Sequence, residues 1–230
     1  MQSKCEPIPN RLRDSDIRSI LIKEIDVRFP DREHDLVIQE FGCNTARIDI
    51  AVINGALHGF EIKSDSDSLD RLPAQIKAYQ GVFEYITLVC GRRLLDRART
   101  AIPKWWGLQK AESKNGRVVL HPIRKPRMNP CQDSLALAGM LWKTEALACL
   151  RKHGHRKVVT AKHSADEVLL AVADHIPIAI LTDEVRQAIK IRGGSGFEWL
   201  RTQYDDSQTT ASIVDRHHYR ENFDWLLSLK

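Results

Sequence analysis

Residues 49–63, Asp-Ile-Ala-Val-Ile-Asn-Gly-Ala-Leu-His-Gly-Phe-Glu-Ile-Lys, place an aspartate, a glutamate and a lysine in two short apolar runs joined by an Asn-Gly turn signal. If 46–53 and 57–63 are strands, alternation puts Glu61 and Lys63 on one face, while Asp49 shares a face with Arg47 and Ala51. Loop length decides whether those faces coincide. A two-residue Asn54-Gly55 loop pairs Ile53 with Ala56 and leaves Glu61 on the other side of the sheet. A three-residue loop, Asn54-Gly55-Ala56, pairs Ile53 with Leu57 and sets Asp49 opposite Glu61, with Cβ atoms roughly 4.5–5.5 Å apart. The three-residue loop, or an equivalent bulge, is the expectation.

Two carboxylates that close repel unless a cation lies between them or one is protonated. Hard oxygen ligands suit Mg²⁺ or Mn²⁺, which polarises a phosphate and acidifies a bound water. Lys63, on the same face, is placed to neutralise developing charge or to position a nucleophile. The plain alternative is a surface hairpin with a Glu/Lys pair and an unrelated aspartate. Upstream, Leu36-Val37-Ile38-Gln39-Glu40 reads as a short strand that delivers a third carboxylate, Glu40. Downstream, Ser66 to Glu84 reads as a helix with an apolar stripe of Leu69, Leu72, Ile76, Tyr79 and Phe83, and with Gln75 on its shoulder. Pro73 falls in the first turns, where a missing N–H is tolerated.

On Arg47-Ile48-Asp49, Gly59-Phe60-Glu61-Ile62-Lys63 and Gln75-Ile76-Lys77-Ala78-Tyr79, the chain resembles the PD-(D/E)XK nuclease superfamily over about residues 14–127, and within it a poorly characterised bacterial family. The resemblance implies an α/β (α+β mixed) fold with a restriction-endonuclease-like core of helix, three antiparallel strands, helix and strand. It implies a Mg²⁺-dependent deoxyribonuclease, a hydrolase of DNA phosphodiester bonds acting in repair or defence. Asp49 and Glu61 would be the metal ligands with the Ile62 carbonyl as a third, Lys63 would assist catalysis, and Glu40 and Gln75 would support the site. No proline precedes Asp49, a departure from the superfamily pattern, and Glu24 of the first helix is the alternative to Glu40. The second reading is a catalytically inactive nuclease-fold scaffold that binds DNA within a larger complex.

Charge is unevenly placed along the 230 residues. The total is +5, yet residues 92–127 hold 11 basic and 2 acidic side chains. Arg92, Arg93, Arg97, Lys104, Lys110, Lys114 and Arg117 are therefore the expected phosphate contacts, with Arg99, Arg124, Lys125 and Arg127 nearby; a solvated basic surface is the alternative. DNA is the expected partner, single- or double-stranded, with a homodimer or a partner protein as a further expectation. Trp105 and Trp106 suggest either base stacking or core cover, and core cover is the commoner use.

The five cysteines include no Cys-x-x-Cys pair, and His153-x-His155 and His217-His218 have no cysteine or carboxylate at a convincing ligand spacing. Neither a disulfide nor a zinc site is expected. The N-terminus lacks an apolar signal region and no run reaches membrane-span length, so cytoplasm is the default and no membrane is expected. With 43% hydrophobic residues the chain has enough apolar material for a substantial core.

Periodicity predicts a helix over 14–28, a buried strand over 85–90, a basic helix over 94–102 and a hairpin over 105–123 turning at Lys114-Asn115-Gly116. Two domains are expected, 1–127 with the basic segment 92–127, and a helical 128–230, with a linker at 124–134. The helical part is expected to contain 134–152 around Leu135, Leu141, Leu147 and Leu150, then 164–175 from Ser164, 183–192, 197–203 and 215–228, with Arg192-Gly193-Gly194-Ser195-Gly196 as a loop. A helix-turn-helix-like DNA module and a packing or dimerising role are both open for it.

Overall fold

The computed structural model describes residues 11–31 and 35–193. The chain divides between Gln132 and Asp133 into two compact units. In the first, helix α1 (Asp14–Arg28) buries Ile17, Leu21 and Ile25. Their four-residue spacing makes a single apolar stripe, and Asp14 and Asp16 sit at the positive end of the helix dipole. The Asp16 carboxylate also accepts the Arg13 N–H at 2.9 Å, satisfying a donor just before the first turn.

Strands β1 (Leu36–Cys43), β2 (Ala46–Ile53) and β3 (Leu57–Lys63) follow as an antiparallel meander. The loop between β2 and β3 has three residues, because Ile53 pairs with Leu57. Asn54 closes it, with its N–H on the Ala56 carbonyl and its side chain accepting the Ala56 N–H. β1 runs to Cys43, three residues beyond the expected end at Glu40.

Helix α2 (Leu72–Gln80) is shorter than the expected 66–84. Ser64 and Asp67 explain the late start: the Asp67 carboxylate takes both the Ser64 N–H and its hydroxyl at 2.7 Å, folding the preceding residues into turns. Leu69 and Phe83 are buried but lie outside the helix, and Ile76 is half-buried, so the five-residue stripe is not one helical face.

Strand β4 (Tyr85–Gly91) runs parallel to β3. A short turn of helix at Arg92–Leu94 leads into α3 (Leu95–Ala101), and then come β5 (Gly107–Lys114) and β6 (Arg117–Arg124). Together the strands form one six-stranded mixed sheet in the order β1-β2-β3-β4-β5-β6, parallel across β3/β4/β5 and antiparallel elsewhere. The two-residue turn at Asn115-Gly116 has φ of 52° and 71°, the left-handed pair that a tight hairpin needs. Packing of α1 on the sheet places Ile17, Leu21 and Ile25 in one core with Ile50, Phe60, Ile62 and Val89. All seven residues of β3 are buried, as befits a central strand. This excludes the surface-hairpin reading of Glu61 and Lys63.

The second unit begins with α4 (Ser134–Ala138) and α5 (Lys143–Lys152). One helix over 134–152 was expected. The break at Gly139–Trp142 arises where the Trp142 N–H turns to the Glu145 carboxylate to start α5, and Leu135 is exposed, not core. α6 (Ala165–His175) starts from Ser164, whose hydroxyl accepts the Glu167 N–H. α7 (Ile178–Gly193) begins a turn earlier than 183, directly after Pro177, a residue suited to a helix start. Arg192 is buried on α7, with one N–H on the Met140 carbonyl and its guanidinium 5.0 Å above the Trp142 ring. The expected elements at 197–203 and 215–228, residues 194–196 of the glycine loop and His217-His218 lie outside the described residues. No helix among the described residues is long and apolar enough to cross a membrane.

Candidate functional site

Asp49 and Glu61 meet at the end of the β2–β3 ladder. The last paired residues are Ile50 and Phe60, and one step further would place Asp49 opposite Glu61. The strands part there: the Asp49 carboxylate reaches across and accepts the Ile62 N–H at 2.6 Å. On the other side, Gln39 pairs with Ile50 and Phe41 with Ile48, but Glu40 is skipped and has φ of 54°. This left-handed kink is costly for a residue other than glycine. Its effect is to bring the Glu40 side chain into the same cleft as Asp49 and Glu61.

The cleft has a volume of about 510 Å³, and its lining includes Asp14, Glu40, Arg47, Asp49, Glu61, Ile62, Lys63, Asp67, Arg71 and Gln75. Every residue expected at the carboxylate site is therefore here. Glu24 is exposed on α1 and does not line the cleft, whereas Glu40 does.

Asp14, Glu40, Asp49 and Glu61 each already have a counter-cation. Arg18, which sequence reasoning missed, links three of them: its guanidinium lies 2.8 Å from Asp14, 3.0 Å from Glu40 and 2.6 Å from Asp49. Burial works against the Arg18 charge, yet Asp14 and Asp49 raise its pKa above the ordinary value. Arg47 holds the other Glu40 oxygen at 2.9 Å. Lys63 Nζ is 2.6 Å from Glu61 Oε1, so in this arrangement it neutralises Glu61 and is not turned outward to a ligand.

Helix α2 supplies the remaining contacts to Glu61. Gln75 donates to Oε1 at 2.6 Å, and the Tyr79 hydroxyl lies 2.9 Å from Oε2 and 2.7 Å from the Arg47 carbonyl. One hydroxyl proton serves only one of these acceptors, unless Glu61 carries a proton and donates it to Tyr79. Burial, and then the Asp49 charge, push the Glu61 pKa well above the usual carboxylate range, against the pull of Lys63 and Tyr79. Burial and Glu61 likewise raise the Tyr79 pKa, keeping the phenol protonated. Tyr79 is expected in the apolar stripe and in the Gln75–Tyr79 motif without a role at the site; its direct contact with Glu61 is additional.

A linked pH effect follows from the same strand. His58 is buried, 3.0 Å from the Thr87 hydroxyl and stacked on Phe60, and burial together with Arg28 lowers its pKa to about 3. The unfolded chain protonates this histidine near its ordinary value, so its contribution to stability is lost as pH falls below about 6.5. Glu61 has the opposite sign: its raised pKa makes stability fall as pH rises from the usual carboxylate value towards neutrality. The two slopes offset each other in the wild type. Urea unfolding of Glu61→Gln between pH 6.5 and 4.5 should therefore reveal an acid loss steeper than wild type by up to about 1.4 kcal/mol per pH unit, and adding His58→Gln should flatten it.

The basic segment is only partly available. Arg92, Arg93, Arg97, Lys104, Lys114 and Arg117 are exposed, and none lines the carboxylate cleft. Lys110 is paired with Glu112 at 2.7 Å. Arg124 and Arg127 donate to the backbone carbonyls of Pro103, Trp106 and Lys104 and hold the loop before β5. Arg92 and Arg93 directly follow β4, whose Cys90 pairs with Lys63 in parallel, so they leave the sheet at the same end as Lys63. Asp65 fixes this corner by accepting the Leu12 and Arg93 N–H groups at 3.1 Å. Trp105 and Trp106 are both buried, which removes them as stacking platforms.

A hard divalent cation takes oxygen donors of the kind gathered here. Glu40, Asp49 and Glu61 supply carboxylate oxygens, and Gln75 Oε1 is a buried acceptor with no hydrogen-bond partner. Ile62 lines the cleft, but its N–H is committed to Asp49.

Comparison with known proteins changes the functional assignment. The family described as Bacteriophage P4 protein cII matches residues 9–211. Over 108 residues the chain is 34% identical to Protein cII of Enterobacteria phage P4, an overlap that covers 47% of this chain and 41% of that relative. No solved structure is matched. The expected membership of the PD-(D/E)XK nuclease superfamily is thereby overturned, and with it the Mg²⁺-dependent deoxyribonuclease, the hydrolase and the inactive nuclease-fold scaffold. Three short motifs carried that resemblance, whereas the family match extends over most of the chain. This chain belongs to the bacteriophage P4 protein cII family.

Proposed function

We propose that the protein binds DNA without cutting it, using a divalent cation in the Glu40–Asp49–Glu61 cleft and the exposed arginines that follow β4 to hold the phosphate backbone. The observation that carries this reading is the gathering of three carboxylates from three adjacent strands in one cleft, beside Gln75 Oε1, a buried acceptor that nothing satisfies. Mg²⁺ or Mn²⁺ would be held by the Asp49 and Glu61 oxygens, with Glu40 and Gln75 nearby. When bound, it supplies a positive charge to which a phosphate oxygen can be drawn. Lys63 and Arg18 balance the carboxylates in the cation-free state. Arg92 and Arg93 add sequence-independent attraction at the same end of the sheet. The four described cysteines, all free thiols, suit a reducing cytoplasmic setting.

The test is fluorescence anisotropy of labelled single- and double-stranded DNA against the full chain, with Mg²⁺ or EDTA and over a range of salt. Binding should weaken linearly on a log–log salt plot, and Arg92→Ala with Arg93→Ala should reduce the slope by roughly 1–2. Asp49→Asn should remove the difference between Mg²⁺ and EDTA while leaving the salt dependence in place. Absence of binding to either DNA at low salt sinks the reading. Equal binding by wild type and Asp49→Asn under every condition removes the cation from it.

A further inference from the structure

The second unit brings together three side chains that have no part in the carboxylate cleft. Cys149 and His153 stand four residues apart at the end of α5, and Glu184 comes from α7; one ligand atom from each lies within 4.8 Å of the others. We propose that Cys149, His153 and Glu184 form a binding site for a borderline transition-metal cation, zinc foremost.

The donor chemistry selects the ion. A thiolate, an imidazole nitrogen and a carboxylate oxygen are the Zn²⁺ set, whereas Mg²⁺ takes oxygen alone. Bond lengths of about 2.0–2.3 Å around Zn²⁺ put tetrahedral ligand atoms about 3.3–3.8 Å apart, so only shifts of about 1 Å or so are needed from atoms that all lie within 4.8 Å of one another. Much of the arrangement is already in place. His153 Nε2 lies 3.0 Å from Glu184 Oε1, and the His153 N–H donates to the Cys149 carbonyl at 3.1 Å, fixing the i, i+4 turn. Three protein ligands leave a fourth position for water, and a thiolate with a carboxylate balances the two charges of the ion.

The competing use of these groups is a hydrogen-bonded clasp between α5 and α7. Lys152 Nζ also sits on Glu184 Oε1 at 2.7 Å. Its side chain is 61% exposed, so it can swing into water when a cation takes the carboxylate. Cys149 is the less accountable member of a simple clasp: it is buried, its sulfur lies within 4.8 Å of a Glu184 oxygen, and its thiol does not donate to that carboxylate. Spacing along the sequence hid the set, because Glu184 lies 31 residues beyond His153.

Cobalt(II) reports the site directly. The full chain, stripped with a chelator and dialysed, is titrated with Co²⁺ and followed by absorption. A thiolate-to-cobalt charge-transfer band should grow to saturation near one equivalent and collapse on addition of Zn²⁺. It should be abolished in Cys149→Ser and retained in Cys5→Ser and Cys131→Ser, and His153→Gln should weaken Co²⁺ binding by at least about tenfold. A cation in the Asp49–Glu61 cleft has no sulfur ligand and gives no such band, so this result is independent of the DNA reading. No band in the wild type, or a band unaffected by Cys149→Ser, overturns the proposal.

Discussion

At pH 8, Glu61→Ala is expected to lower the unfolding free energy by about 3 kcal/mol or more, because it leaves the Lys63 ammonium buried without its partner. Lys63 has a side-chain exposure of 7% and Glu61 3%, so water replaces little of the lost interaction. The same change deprives Gln75 of its Glu61 acceptor, whereas Tyr79 keeps the Arg47 carbonyl. Glu61→Gln keeps the shape and an oxygen to accept from Lys63 and Gln75 but also removes the charge beside Lys63, so it should cost less than Glu61→Ala without being neutral. Urea unfolding followed by circular dichroism separates the two. A loss below about 1 kcal/mol for Glu61→Ala would mean that Lys63 escapes to solvent and that the pair contributes little.

The second large effect belongs to Trp106. It is fully buried, lies against Tyr79 with ring centroids 6.4 Å apart, and meets Trp105 edge-on at 6.0 Å. Trp106→Ala should cost about 3–5 kcal/mol, since it removes the largest fully buried side chain and leaves a cavity under the helix that carries Gln75. Trp106 Nε1 has no hydrogen-bond partner, so Trp106→Phe discards an unsatisfied donor while keeping most of the contact. The phenylalanine variant should therefore lose less than about 1.5 kcal/mol. If alanine and phenylalanine were equally tolerated in thermal and urea unfolding, Trp106 would not be a core residue. Loss of DNA binding without loss of stability would restore the stacking reading that its burial rules out.

Much of this architecture is legible in local chemistry. The β2–β3 hairpin is set by Asn54 and by the demand that Asp49 and Glu61 share a side, and its register can be read from that requirement alone. The first helix, the Asn115-Gly116 hairpin and the Ser164 cap are equally local signals. What sequence does not disclose is competition between side chains and backbone. Asp67 draws Ser64 into a turn and shortens α2 at its start, while Glu145 captures the Trp142 N–H and divides the expected long helix.

The candidate site shows the same division. Glu40, Asp49, Glu61, Lys63 and Gln75 are found by strand and helix periodicity, because each lies on a regular element. Arg18 stands outside the apolar stripe by which α1 is legible, and its spacing of four from Asp14 is the one signal the sequence offers for it. The left-handed turn at Glu40 has no sequence signature, since glutamate carries none of the preference of glycine or asparagine for positive φ. The functional error has a different origin. Asp, Glu-x-Lys and Gln-x-x-x-Tyr fit a chemistry, but fitting a chemistry is weaker than a family match over residues 9–211.

The proposed function requires a divalent cation in the cleft between β1, β2 and β3. Isothermal titration of Mn²⁺ into the full chain, beside Asp49→Asn and Glu61→Gln, tests it most directly. A carboxylate site is expected in the wild type, strengthened as pH rises and Glu61 ionises, and weakened at least about tenfold in each variant. Mn²⁺ binding that is absent from the wild type, or unchanged in both variants, would contradict it and leave Arg18 and Lys63 as the permanent partners of these carboxylates.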